Sequence, residues 1–122
     1  PGKWTLVMLW TTYCGACQQQ FPLLNAFQDA HRLADAKVVG IALDGYHQID
    51  EIRAHIAKNR ISFPNLAGEL SQISPSIKEA TGEPLDGTPT YLLFSTIGDI
   101  VAFKVGPIQA GEIERFMKEN PS

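Results

Sequence analysis

At 122 residues the chain has the size of one domain, and with 44% hydrophobic and 19% charged residues it can bury a core and is not expected to be disordered. The net charge of -3, with no run of lysine or arginine, argues against a nucleic-acid binder. No apolar stretch approaches the roughly 18 residues that a membrane span requires. We therefore expect a single soluble domain over residues 1–122.

The first half of the sequence alternates strand-like and helix-like segments. Residues 3–10 and 37–43 are rich in β-branched and apolar residues and predict two buried strands. Between them a helix is predicted from Gly15, with a kink at Pro22 because proline lacks a backbone donor. The apolar stripe of this helix is Phe21, Leu24, Phe27, Ala30, Leu33 and Ala34. The alternation predicts parallel strands with helices on both faces of the sheet.

Two further helices are expected in the middle of the chain. The first has the apolar spacing of Ile49, Ile52 and Ile56 and ends near Asn59, and residues 63–65 are then a connector. For the next helix, Ser74-Pro75 suits an N-cap followed by proline at the first helical position. Ser76 with Glu79 fits a capping box and Gly82 fits a helix end, so this third helix should be short.

The last part of the chain predicts a hairpin and a closing helix. Residues 90–95 and 100–105 flank Ile97-Gly98-Asp99 and should pair antiparallel. Ile113, Phe116 and Met117 then mark an amphipathic helix. The expected fold class is α/β, with a mixed central sheet and helices on both faces.

The two cysteines, Cys14 and Cys17, lie between a strand and a helix. This placement puts the first sulfur at the helix N-terminus, where unpaired N–H groups and the helix dipole favour a thiolate. The second sulfur lies one turn along and can attack a mixed disulfide formed on the first. We therefore predict Cys14 as the nucleophile and Cys17 as the resolving thiol.

The sequence gives less support to other functions of a Cys-x-x-Cys pair. A structural disulfide that closes so short a loop would stabilise the fold by only about 2 kcal/mol. The spacing of the three histidines, His31, His47 and His55, fits no zinc module, and Gln18 stands where haem attachment needs histidine. We interpret these histidines as solvated residues and predict no metal site. The alternative function is a copper-handling or thiol-binding module without redox turnover.

The stretch Trp10-Thr-Thr-Tyr-Cys-Gly-Ala-Cys17 resembles the active site of the thioredoxin superfamily, written W-x-x-W-C-x-x-C. By this resemblance Pro22 is the kink proline and Thr88-Pro89 the cis-proline motif opposite the cysteines. The resemblance implies a thioredoxin-like fold in which the backbone of Thr88 pairs with an extended substrate peptide. It also implies substrate contacts from Gly15, Ala16 and Pro89. From its place next to Cys14, Tyr13 is expected on the exposed rim, where it would touch partners, and Trp10 is expected in the core.

Within the superfamily, Gln20-Phe21-Pro22, Phe63-Pro64, the insertion over residues 46–85 and the late hairpin resemble the TlpA and ResA branch. That branch implies an extracytoplasmic (periplasmic) protein tethered to a membrane, with several members serving cytochrome c maturation. Such proteins carry an N-terminal signal or anchor and a hairpin before the first strand. We expect those parts to be missing from this chain, so any membrane link would run through such an anchor.

Two positions depart from the family pattern. Thioredoxins place a buried acid where this chain has Met8, and the ResA-type branch often places one where it has Gln20. Neither side chain can accept a proton from Cys17 as that thiol attacks the mixed disulfide. The proton acceptor is thus open, and Gln20 is expected to face the site.

Taken together, the sequence predicts a thiol-disulfide oxidoreductase acting on the thiols and disulfides of protein partners, more as a reductant than as an oxidant or isomerase. No cofactor is expected, because the two thiols carry the two electrons. Recycling would need a separate redox partner. We expect a monomer.

Overall fold

The computed structural model describes residues 2–121 and shows a five-stranded sheet with four α-helices. In chain order these are β1 (Trp4–Trp10), α1 (Gly15–His31), β2 (Ala36–Ala42), α2 (Ile49–Lys58), β3 (Asn65–Ala67), α3 (Leu70–Thr81), β4 (Thr90–Phe94), β5 (Ile100–Val105) and α4 (Glu112–Glu119). A 3₁₀ turn over Tyr46–Gln48 precedes α2. No helix among the described residues is long and apolar enough to cross a bilayer.

The sheet is mixed, with strand order β3-β2-β1-β4-β5. β2 pairs in parallel with both β1 and β3, whereas β4 pairs antiparallel with β1 and β5. The central strand β1 therefore ends beside β2, and the cysteine loop that follows it lies at the carboxyl edge of the parallel half. The predicted α/β class and mixed sheet are confirmed.

The alternation of β1 divides the core into two layers, because successive side chains of a strand point to opposite faces. Trp4, Leu6, Met8 and Trp10 pack in one cluster with α1, α2 and α4. Leu9 packs in the other cluster with α3, and this cluster contains Leu43, Ile77 and Leu92. Helices thus cover both faces, as predicted.

The first helix is shorter than its apolar stripe predicted. It ends at His31, and Leu33 lies in the turn beyond it with 84% of its surface exposed. Arg32 N–H closes the helix on Gln28 O at 2.9 Å, and the chain then turns towards β2. The buried polar side chain of Gln28 accepts a hydrogen bond from Val38 N at 2.7 Å, which fixes α1 against β2.

Two of the histidines that we predicted to be solvated, His31 and His55, have side chains that are only 18% exposed, and His55 Nδ1 lies 3.2 Å from Glu51 O. The ring nitrogens of His31 lie 2.7 Å from Asp35 Oδ1 and 3.2 Å from Glu114 Oε2. Partial burial lowers the pKa of His31, but the hydrogen bonds and charges of these two carboxylates outweigh it, so the pKa is raised above its usual value. The imidazole therefore joins the end of α1 to α4.

The connector predicted at residues 63–65 is wrong in part, because Asn65 opens β3 at the edge of the sheet. The start predicted for the third helix is also wrong. α3 begins at Leu70, with the N–H groups of Gln72 and Ile73 donating to Glu69 O, and Pro75 lies inside it. Ser76 Oγ donates to Gln72 O and so forms no capping box. α3 ends before Gly82, which adopts a left-handed conformation, and this helix end is as predicted.

Candidate active site

Cys14 caps the N-terminus of α1. Its Sγ accepts a hydrogen bond from Cys17 N at 3.0 Å, and its own N–H donates to Thr11 O at 3.3 Å. Cys14 and Cys17 are joined in a disulfide, with their Cα atoms 5.2 Å apart. The first sulfur thus lies where free helix N–H groups and the helix dipole stabilise negative charge.

The two sulfurs differ in access. Cys17 is fully buried, whereas Cys14 is only partly buried and its neighbours Gly15 and Ala16 are exposed. A disulfide or thiol of another protein can therefore approach Cys14 more readily than Cys17. This asymmetry is what the assignment of Cys14 as nucleophile requires.

The loop before β4 lies opposite the cysteines. The Thr88–Pro89 peptide bond is cis, as the resemblance implied, and Thr88 O lies 3.5 Å from Cys14 Sγ. Thr90 Oγ1 donates to Gly87 O at 2.6 Å, and Gly106 N donates to Pro89 O at 2.8 Å. These bonds fix the loop from both sides, so Thr88 is held beside the disulfide.

The aromatic residues near the site divide as predicted. Tyr13 has 80% of its surface exposed beside Cys14, and Trp10 is fully buried. Trp10 Nε1 donates to Asn65 Oδ1 at 2.8 Å, which ties the end of β1 to β3. Gly40 leaves room for this contact, because a Cβ there would collide with the Asn65 side chain.

Asp44 holds the cysteine loop, a role that the sequence reasoning missed. Its carboxylate accepts hydrogen bonds from Thr12 N at 3.0 Å and from Thr12 Oγ1 at 2.7 Å. Asp44 follows β2 and Thr12 follows β1, so the parallel pairing of these strands places them side by side. The only sequence signal was a carboxylate and a threonine at the carboxyl ends of two successive strands.

Gln20 is buried one turn after Cys17, with 7% of its surface exposed. Its Oε1 accepts hydrogen bonds from Tyr91 OH at 2.6 Å and Ile108 N at 2.9 Å, and its Nε2 donates to Ile108 O at 3.2 Å. Burial and the charge of Glu112 raise the pKa of Tyr91, so its hydroxyl stays protonated and donates. The amide therefore joins α1 to β4 and to the loop before α4.

The other two residues singled out near the site, Met8 and Pro22, differ in burial. Met8 is fully buried in the core, and Pro22 lies inside α1 with its ring exposed. The kink at Pro22 stays a prediction. Among residues 2–121, no group of three or more histidine, cysteine, aspartate or glutamate side chains is gathered to hold a metal ion.

Comparison with known proteins agrees with this geometry. The model of the AhpC/TSA family matches residues 1–102. The chain belongs to the AhpC/TSA family. A protein similar to this AhpC/TSA chain is the sporulation thiol-disulfide oxidoreductase A of Bacillus subtilis (strain 168), 25% identical over 119 residues that cover 97% of this chain and 68% of that protein.

Solved structures show the same fold. The thiol:disulfide interchange protein of Chlorobium tepidum TLS, a thioredoxin family protein, superposes with a TM-score of 0.83 at 20% identity, over 97% of this chain and 79% of that one. StoA from Bacillus subtilis gives a TM-score of 0.71 at 25% identity, over 95% of this chain and 83% of that one. The resemblance to thioredoxin-like proteins is confirmed, and this AhpC/TSA member is a thiol-disulfide oxidoreductase with a Cys14–Cys17 redox pair.

Proposed function

We propose that this protein acts mainly as a reductant, with Cys14 as the nucleophile and Cys17 as the resolving thiol. The observation that carries the assignment of the two roles is the position of Cys14 Sγ, which is more accessible than Cys17 and accepts the Cys17 N–H at the start of α1. The direction, as a reductant, is supported by the resemblance to the TlpA and ResA branch. The substrates are disulfides of partner proteins. Thr88, beside Cys14 Sγ, presents the backbone along which an extended substrate chain pairs by strand addition.

Each turnover moves two electrons from the dithiol to the substrate. The Cys14 thiolate attacks one sulfur of the substrate disulfide, a bond forms between the two sulfurs, and the other substrate sulfur leaves as a thiolate that takes a proton from water. The Cys17 thiolate, its proton lost to solvent, then attacks Cys14 Sγ and releases the second substrate thiol. The Cys14–Cys17 disulfide is left, and a separate dithiol partner must reduce it.

The proposed compartment rests on the resemblance to the TlpA and ResA branch. The TlpA and ResA branch, which the cysteine region and the late hairpin resemble, supports an extracytoplasmic site of action, in the periplasm where there is one. We propose that the protein works there as a monomer. The disulfide of apocytochrome c, which must be reduced to thiols before haem attachment, is one substrate that this branch would serve.

Two cysteine variants test the assignment of roles. With insulin as substrate and dithiothreitol as reductant, Cys14→Ser should abolish catalysed reduction, because the accessible nucleophile is gone. Cys17→Ser, reduced beforehand and freed of dithiothreitol, should accumulate a mixed disulfide with insulin on Cys14, visible as an added mass in non-reducing mass spectrometry. Full activity of Cys14→Ser would refute the assignment.

The direction of electron flow is tested by the equilibrium reduction potential of the pair, measured in dithiothreitol or glutathione buffers with alkylation and mass counting. A value at or below about -250 mV fits a reductant. A value of about -120 to -180 mV would make the protein an oxidant or isomerase.

A further inference from the structure

A groove opens beside the disulfide, between the cysteine loop, the start of α3 and the loop before β4. Its volume is about 280 Å³, and Tyr13 and Thr88 form the end nearest to Cys14. Leu43 is its buried apolar residue, at 6% exposure, while Leu70 is 48% exposed and Leu85 partly buried. A chain that pairs with the Thr88 backbone would therefore place a neighbouring side chain against three leucines.

The charge in this groove has one sign. Asp86 is the only charged residue among the described residues that line it, and its side chain is exposed. Two more carboxylates adjoin the lining residues in sequence, since Asp44 follows Leu43 and Glu69 precedes Leu70. Both already accept hydrogen bonds from the backbone, Asp44 from Thr12 N and Glu69 from Tyr46 N. Asp86 is therefore the carboxylate left to meet a cation.

We propose that the groove selects substrates in which the reactive cysteine is flanked by an apolar side chain and then by a basic one. The apolar side chain lies among Leu43, Leu70 and Leu85, and the basic group faces Asp86. This inference rests on the proposed function, because it assumes that substrate is bound as a mixed disulfide on Cys14.

Symmetric peptides test the selection, because they present the same side chains to the groove in either binding direction. Each has five residues, with a central cysteine held as a mixed disulfide with glutathione, two identical inner residues and two identical outer residues. The panel has leucine or serine inside and lysine or glutamate outside. Rate constants are measured with the dithiol-reduced protein and divided by its rate constant for hydroxyethyl disulfide, which has no side chains to fill the groove.

We expect the leucine–lysine peptide to react at least about fivefold faster than the leucine–glutamate peptide at low salt, since one charge pair at contact distance in water is worth this factor. The preference should shrink at high salt. Serine in place of leucine should also slow the reaction by about fivefold or more, as expected for partial loss of a buried apolar side chain. Asp86→Lys should reverse the charge preference, and Leu70→Ser should weaken the preference for leucine.

Matched controls lie elsewhere on the surface. Asp99→Lys changes the same charge in the turn between β4 and β5, and Leu66→Ser changes a leucine that is 62% exposed on β3. Neither should alter the peptide ratios. Equal rates for all peptides, with hydroxyethyl disulfide still reduced, would overturn the groove assignment and leave the proposed function standing. No reduction of hydroxyethyl disulfide would overturn the proposed function, and the groove assignment with it.

Discussion

Asp44 is predicted to set the position of the cysteine loop, and Asp44→Ala removes the acceptor of both hydrogen bonds from Thr12. Bonds to a charged group contribute about 1.5–3 kcal/mol each. Asp44 is partly exposed, so water replaces part of the loss. We expect the oxidised variant to lose about 2–3 kcal/mol of unfolding free energy. We also expect exchange to slow by about tenfold, because the loop that carries Cys14 is displaced.

The assay is urea unfolding of the oxidised protein, followed by tryptophan fluorescence, together with insulin reduction. Thr12→Val keeps the backbone donor and removes the hydroxyl, so a double-mutant cycle with Asp44→Ala isolates the coupling, expected to exceed about 0.5 kcal/mol. Asp29→Ala, at an exposed carboxylate on α1, is the control and should stay within about 0.5 kcal/mol of the parent. If Asp44→Ala matches this control in both stability and rate, the reasoning is refuted.

Two further predictions concern His31 and Gln20. Because the pKa of His31 is raised in the folded state, its stabilising contribution is complete below its unfolded pKa and is lost as the pH rises through the folded pKa. His31→Gln should therefore destabilise the oxidised protein more at about pH 5.5 than at about pH 8.5, with His47→Gln as control, and equal losses at both would contradict this. Gln20→Glu should change the pH profile of exchange, measured with insulin, because it places a titratable group one turn after Cys17; an unchanged profile would show that this position does not reach the site.

Local patterns were sufficient for most of the fold and for the cysteine pair. β1 and β5 lie within one residue of the predicted bounds, and the strand-to-helix junction that defines the site follows from them. The position of Cys14 at the helix N-terminus is a local property, which is why sequence reasoning reached it. The exposed position of Tyr13 and the buried position of Trp10 were predicted in the same way, from their neighbours in the chain.

The helix boundaries failed where packing overrides local signals. Proline suits the first position of a helix, yet α3 starts five residues before Pro75 because Ile73 and Ile77 pack on the sheet at helical spacing. The exposed ring of Pro75 faces away from that contact. In α1, Leu33 continued the apolar period, but the chain had to turn after His31 to enter β2.

The contacts that shape the site were beyond sequence reasoning because each joins residues far apart in the chain. Asp44 meets Thr12 across 32 positions, and Tyr91 meets Gln20 across 71. Which strand ends lie together depends on the strand order, and the composition of the groove depends on where α3 starts. An early start at Leu70 is what brings that leucine to the groove.

This chain has Gln20 where the ResA-type branch often has an acid. A carboxyl group at this position could both hold the loop before α4 and transfer a proton, whereas the amide can only hold the loop. The Gln20 amide is both acceptor and donor to the backbone of Ile108, so it can fix the loop before α4 without charge. A carboxylate could keep the bonds from Tyr91 OH and Ile108 N but would face Ile108 O with no proton to donate, unless it were itself protonated. A buried acid at this position would therefore hold its proton more tightly and could exchange it with Cys17. The amide cannot take part in such a transfer, so the proton of Cys17 must pass to solvent or to another group.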